Sequence, residues 1–327
     1  MPETTSRDGE SSETPHARCR ERSAQITSVS DTSSEVVESG CRLIWTLRIG
    51  ACACFAGWAW QHLRWSVPYD AVLWNPDYMD WLAQWFGVSW ESYVADVMTD
   101  RRILIGERIV GLLYLALAIV SLTAKRNSRV QFVCLGIGGV LLAVASWCKY
   151  LNAGRAMAMF VEHGGQILAP AVLILALQRG VRDRWTIGVA VVAFCATFAG
   201  HGIYAAGLAP TPGHFYGMVS AILGFGETAA DHFLKTVGVL DFVICVGLAV
   251  PVMRRACLAY AALWGLLTAL ARPVAGLSFA APWWGADQFV HEAVLRAPHV
   301  SLPLFLFLVT FDSRAASPST TLAQSSK

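Results

Sequence analysis

The feature that most constrains this chain is its series of apolar runs. Each is about 20 residues long, the length a helix needs to cross a hydrocarbon core of about 30 Å at 1.5 Å per residue. The first covers Leu43 to Leu63, and others follow at roughly 103–124, 129–148, 157–178, 185–207, 233–253, 256–276 and 291–311. The last is the least obvious, because its uninterrupted apolar part, Val300 to Phe311, is too short to span unless the segment starts at His291. Only helices and closed barrels satisfy their backbone in lipid, and runs this long select helices. The expected fold is therefore an all-α integral membrane protein with eight transmembrane helices. Composition agrees: 15% of residues are charged and the mean hydropathy is +0.48, against about a quarter charged in soluble domains. A formal net charge of +2 without a basic stripe argues against a nucleic-acid partner and leaves membrane lipid as the expected surrounding.

Lys and Arg collect in alternate short loops. Lys125, Arg126 and Arg129 lie in one, Arg179, Arg182 and Arg184 in a second, Arg254 and Arg255 in a third. The positive-inside rule makes these cytoplasmic and puts both termini there, in what reads as a bacterial inner membrane. Residues 1–40, rich in Ser, Thr and Glu, read as a disordered cytoplasmic tail, and 312–327 as a second. The opposite loops are aromatic: 65–102 holds Trp65, Trp74, Trp81, Trp85 and Trp90, with Asp80–Phe86 and Ser89–Met98 expected as short interfacial helices. The chain also reads as a duplication. Phe55-Ala56-Gly57 matches Phe198-Ala199-Gly200, Arg108 and Gly111 match Lys235 and Gly238, and Lys149 matches Arg272. That gives a first four-helix unit over 41–180 and a second over 181–311. With an even number of spans in each, the repeats are parallel.

Within these apolar segments an acid sits beside a histidine twice, Phe160-Val161-Glu162-His163 and Phe289-Val290-His291-Glu292. Ionisable residues at membrane depth are expensive and mark functional sites by default. Placed by topology, Glu107, Arg108, Glu162, His163, His201, Lys235, Arg272, His291 and Glu292 all fall in the outer half, as a polar layer or pocket facing outward. Lys149, Arg155, Arg296 and His299 read more simply as snorkelling at span ends. Asp241, well inside its span, needs a partner, and Arg272 on the next helix is the first candidate. No close-set metal-ligand spacing occurs, and the nine cysteines read as small buried hydrophobes. No P-loop, dinucleotide fingerprint or Gly-x-Ser-x-Gly elbow identifies an enzyme.

His201-Gly202 closing a span, a Pro-containing outer loop, then Phe233-Leu234-Lys235 leading into Gly238-Val239-Leu240-Asp241 resembles the DoxX-like group of four-helix membrane proteins, which includes the small subunit of thiosulfate:quinone oxidoreductase. The resemblance implies a four-helix unit, present here twice, and a link to membrane redox chemistry with a membrane redox partner. The function expected is a redox-associated subunit that binds a quinone or a lipid headgroup in an outward-facing pocket. The alternatives are a small-molecule or proton-coupled transporter and a non-catalytic scaffold.

Overall fold

The computed structural model describes residues 15–65, 67–277 and 282–315, with side chains described for 39–65, 67–277 and 287–310. The chain divides at Arg42 into two units, and the second, Leu43–Lys327, holds the helical bundle. Helix α1 runs from Pro15 to Arg64, beginning inside the segment expected as a tail. Residues 1–14 and 316–327, the remainder of the expected tails, lie outside the described residues. Three short helices follow, α2 (Asp70–Leu73), α3 (Pro76–Trp85) and α4 (Trp90–Ala95). Then come α5 (Val97–Thr123), α6 (Arg129–Asn152), α7 (Met157–Glu162), α8 (Gly164–Arg179) and α9 (Arg184–Ala205). The last five are α10 (Gly213–Leu223), α11 (Glu227–Gly247), α12 (Arg254–Ala275), α13 (Pro282–Leu295) and α14 (Ala297–Ala315). There is no strand among the described residues.

Among the described residues, seven segments are long and apolar enough to cross a membrane: Ser39–Arg64, α5, α6, α7 with α8, α9, α12, and Asp287–Thr310. The eighth expected span falls on α11, which carries Asp231, Lys235 and Asp241. It also begins six residues earlier than its apolar run, at Glu227 rather than Phe233, because the polar first turns continue the same helix. The connection between α12 and the last expected span is shorter than expected, since α13 already starts at Pro282.

Helix ends follow local chemistry. Asp96, Ser128 and Asp183 cap α5, α6 and α9 by accepting from backbone N–H groups of the first turn. Cations close helix C-termini: Arg48 donates to the Leu122 and Ala124 carbonyls at 2.8 and 2.6 Å, and Arg254 to Leu248 O at 2.8 Å.

The spans form an inner and an outer set. Half of the apolar window is buried in the α1, α7–α8 and α13–α14 spans and 44% in α9, against 22% in α5 and 28% in α6 and α12. The inner set encloses a core of Phe55, Trp58, Leu173, Phe194 and Phe305, and the outer set turns residues such as Ile119, Val140 and Leu263 outward. Inner helices meet at glycines. A Cβ on Gly57 would collide with the backbone of Leu295 on α13, and one on Gly200 with the backbone of Glu162 on α7.

Two inner spans are broken. Between α7 and α8 the chain turns at His163, where Gly164-Gly165 weakens the helix; between α13 and α14 it turns at Arg296, two residues before Pro298, which has no N–H to donate. Side chains serve the backbone groups this leaves. His163 Nδ1–H donates to Met159 O at 2.7 Å, and Thr197 Oγ1 on α9 accepts from Gly165 N at 2.9 Å.

Candidate functional site

The break at His163 fixes Glu162 against α9. Its carboxylate lies 3.4 Å from His201 Nδ1 and 3.7 Å from His163 Nδ1, and all three residues sit in the inner bundle. Beyond Glu162, His201 Nε2 lies 3.3 Å from His299 Nε2 on α14, so one ring donates and the other accepts. The second break places an ionic knot beside this chain. One oxygen of Glu292, Oε2, receives Arg272 Nε at 2.9 Å and Arg296 Nη1 at 3.1 Å, and Arg296 also reaches Glu292 O at 3.4 Å. Arg272 Nη2 turns outward to His214 Nε2 at 2.7 Å, which makes that nitrogen the unprotonated acceptor. His214 belongs to the outer helix α10. Burial of its inward edge and then the charges of Arg272 and Arg296 hold its pKa down at about 4, although the ring keeps an exposed face.

His201, Arg272, Arg296 and His299 line a cavity of about 420 Å³ between α9, α10, α11, α12 and the start of α14, within the range of small-molecule sites. Most of its wall is apolar, from Phe198, Phe215, Met218, Val237 and Trp264, while His201, Asp241, Arg272, Arg296 and His299 bring polar groups to it. Two polar atoms here are buried without a hydrogen-bond partner among the described residues, Asp241 Oδ1 and His299 Nδ1. Buried polar groups are almost always paired, so each orphan calls for a partner.

The expected pairing of Asp241 with Arg272 is corrected. Arg272 is committed to Glu292 and His214, and among the described residues no cation stands within ion-pair distance of Asp241, whose neighbour is Trp264. Asp241 also lies 14 residues into α11, about 21 Å along it, rather than eight residues into a later-starting span. Of the other expected residues, Glu162, His163, His201, Arg272 and Glu292 gather here. Glu107 and Arg108 lie apart on α5, Lys235 pairs with Asp231 at 2.7 Å, and His291 stacks on Trp65 at 6.0 Å.

Arg296 and His299, read as snorkelling, are 9% and 3% exposed and belong to the cavity wall. Lys149 lies 4.8 Å over the Trp58 ring, and Trp58 donates to Gln166 Oε1 at 2.8 Å. For Arg296 the i, i+4 spacing to Glu292 was a usable signal. Nothing in the sequence marked Trp264 or the aromatic face of α10.

In the first half of the chain Trp58, His62, Tyr69 and Tyr114 pack together, with His62 and Tyr114 centroids 5.1 Å apart and Tyr69 Oη donating to His62 Nε2 at 2.9 Å. No protein-family model matches the sequence, and comparison with characterised proteins and with solved structures returns no significant match.

Proposed function

We propose that this is an eight-span membrane protein of two parallel four-helix units that binds a quinone-type ring in the cavity beside Asp241. The observation that carries the reading is the cavity itself, an aromatic slot with a carboxyl on one wall whose Oδ1 has no partner among the described residues, and histidines and arginines on another. A quinone has polar oxygens on opposite edges of a flat apolar ring, and such a wall matches both features. As the eighth span, α11 has 21 residues, about 31 Å of helix, and it packs along α9. The repeat reading is supported by paired close approaches: Gly57 on Leu295 and Gly200 on Glu162, Gly111 on His62 and Gly238 on Ala205. The likeness to DoxX-like proteins and the association with a membrane redox partner belong to the same proposal.

Purified protein titrated with 2-methyl-1,4-naphthoquinone should bind it saturably, and Val237→Trp, which fills the slot from α11, should weaken binding at least tenfold with little change in melting temperature. Equal binding by the two proteins would place the ligand elsewhere. A second reading, proton-coupled transport, draws on Asp241, without a cation partner among the described residues and about two thirds along α11; substrate-driven proton uptake in vesicles would favour it.

The same proposal places both termini in the cytoplasm of an inner-membrane protein. In a background without native cysteines, cysteines at 77, 85 or 217 should react with impermeant thiol reagents from outside, and one at 126 should not. Outside labelling at 126 would reverse the orientation.

A further inference from the structure

We infer that the occupant of this cavity is bound as an anion, an amphiphile whose ionised oxygen sits on Arg272 and Arg296; this deepens the proposed function and rests on it. The first ground is the local charge. Two cations, Arg272 and Arg296, line the cavity. Both guanidiniums share a single Glu292 oxygen, while Glu162 is turned to His201 and His163. Counting imidazoles as neutral, two guanidiniums meet one carboxylate in direct contact, one negative charge short. Asp241 does not supply it, since no cation among the described residues is in ion-pair contact with it.

The second ground is donor geometry. Arg272 and Arg296 both line the cavity, and Arg296 uses only Nη1 within the protein, so Nε and Nη2 make no hydrogen bond among the described residues. His214 cannot take the charge from Arg272, because it accepts as a neutral ring. Away from water a charge deficit of this kind is strongly felt, and planar guanidinium donors suit an oxyanion. The apolar slot beside them requires that the oxyanion be carried on a ring or chain that prefers lipid. Two sources meet that description, the ionised hydroxyl of a hydroxyquinone and the carboxylate of a fatty acid.

The test compares three probes at neutral pH in the full-length protein. They are 2-hydroxy-1,4-naphthoquinone, which is ionised, 2-methyl-1,4-naphthoquinone, which has the same ring without charge, and dodecanoate, an anion without a ring. The hydroxyquinone should bind at least tenfold more tightly than its methyl relative, and Arg296→Gln should bring that ratio close to one. Should Arg296→Gln fail to fold, Arg296→Lys keeps the charge and should retain the preference. If the methyl compound binds as tightly or more tightly, the anion inference is overturned and ring binding stands. If dodecanoate matches the hydroxyquinone, the anion site holds and the quinone reading falls. Binding of none of the three overturns both.

Discussion

Replacing Glu292 by glutamine should lower the melting temperature in detergent more than any other single polar substitution in the bundle. That one carboxylate oxygen holds Arg272 at 2.9 Å and Arg296 at 3.1 Å, and its loss strands two guanidiniums together. Breaking a buried pair costs roughly 3–5 kcal/mol in protein interiors. The lower end applies here, because 21% of the Glu292 side chain and 17% of Arg272 remain exposed. Adding Arg272→Gln to the Glu292 variant should recover part of the loss by removing one stranded charge. Asp241→Asn should behave differently, leaving the melting temperature unchanged or raised, since no cation loses its partner. A large loss in Asp241→Asn, or simple additivity in the Glu292 and Arg272 pair, would show that the charges are arranged otherwise.

A single methyl group at Gly200 should be nearly as damaging. Its Cβ would meet the backbone nitrogen and Cα of Glu162, atoms that cannot rotate away, so α7 must move off α9. Overpacking of this kind costs typically 1–3 kcal/mol. It would also draw Glu162 from His201, now 3.4 Å apart, so Gly200→Ala should lose quinone-probe binding as well as stability. Gly188, on the same helix with nothing near its missing Cβ, is the control. Gly188→Ala should be neutral or gain up to about 1 kcal/mol, as alanine generally does in place of glycine in a helix. Equal losses in the two variants would mean that the approach of α7 to Gly200 is not what was measured.

The helical membrane character was legible in the sequence because runs of apolar residues near 20 long have one solution in lipid, and seven of them are spans by length and composition. The segment expected as an eighth span, α11, is not among them for a physical reason: Asp231, Lys235 and Asp241 break its apolar window while leaving its helix intact. Of the two acid and histidine pairs, Glu162 lies against His201 and Glu292 against Arg272, both beside the candidate cavity. Partner choice was not legible. Chain order made α12 the neighbour of α11 and suggested Arg272 for Asp241, whereas α12 packs more closely on α13 and α14, which brings Arg272 to Glu292. Nor did span ends reveal which cations were buried. Arg296 and His299 look like snorkelling residues on one helix and become interior only because the break at Arg296 turns α14 inward.

The broken spans bear on how freely this protein can change over evolutionary time. His163 and Arg296 carry or adjoin the polar chemistry, and they also donate to the carbonyls at their own helix breaks, Met159 O and Glu292 O. A substitution at either therefore disturbs backbone satisfaction in a setting with no water to repair it. The wall formed by α10, α11 and α12 has no such double duty: Met218, Val237 and Leu267 line the cavity through side chains alone. Ligand preference can drift along that wall by exchange of one apolar shape for another, while the polar floor stays as it is. A library of variants selected for a new ring substituent should accordingly accumulate its changes on α10–α12 and leave the α7–α8 and α13–α14 turns untouched.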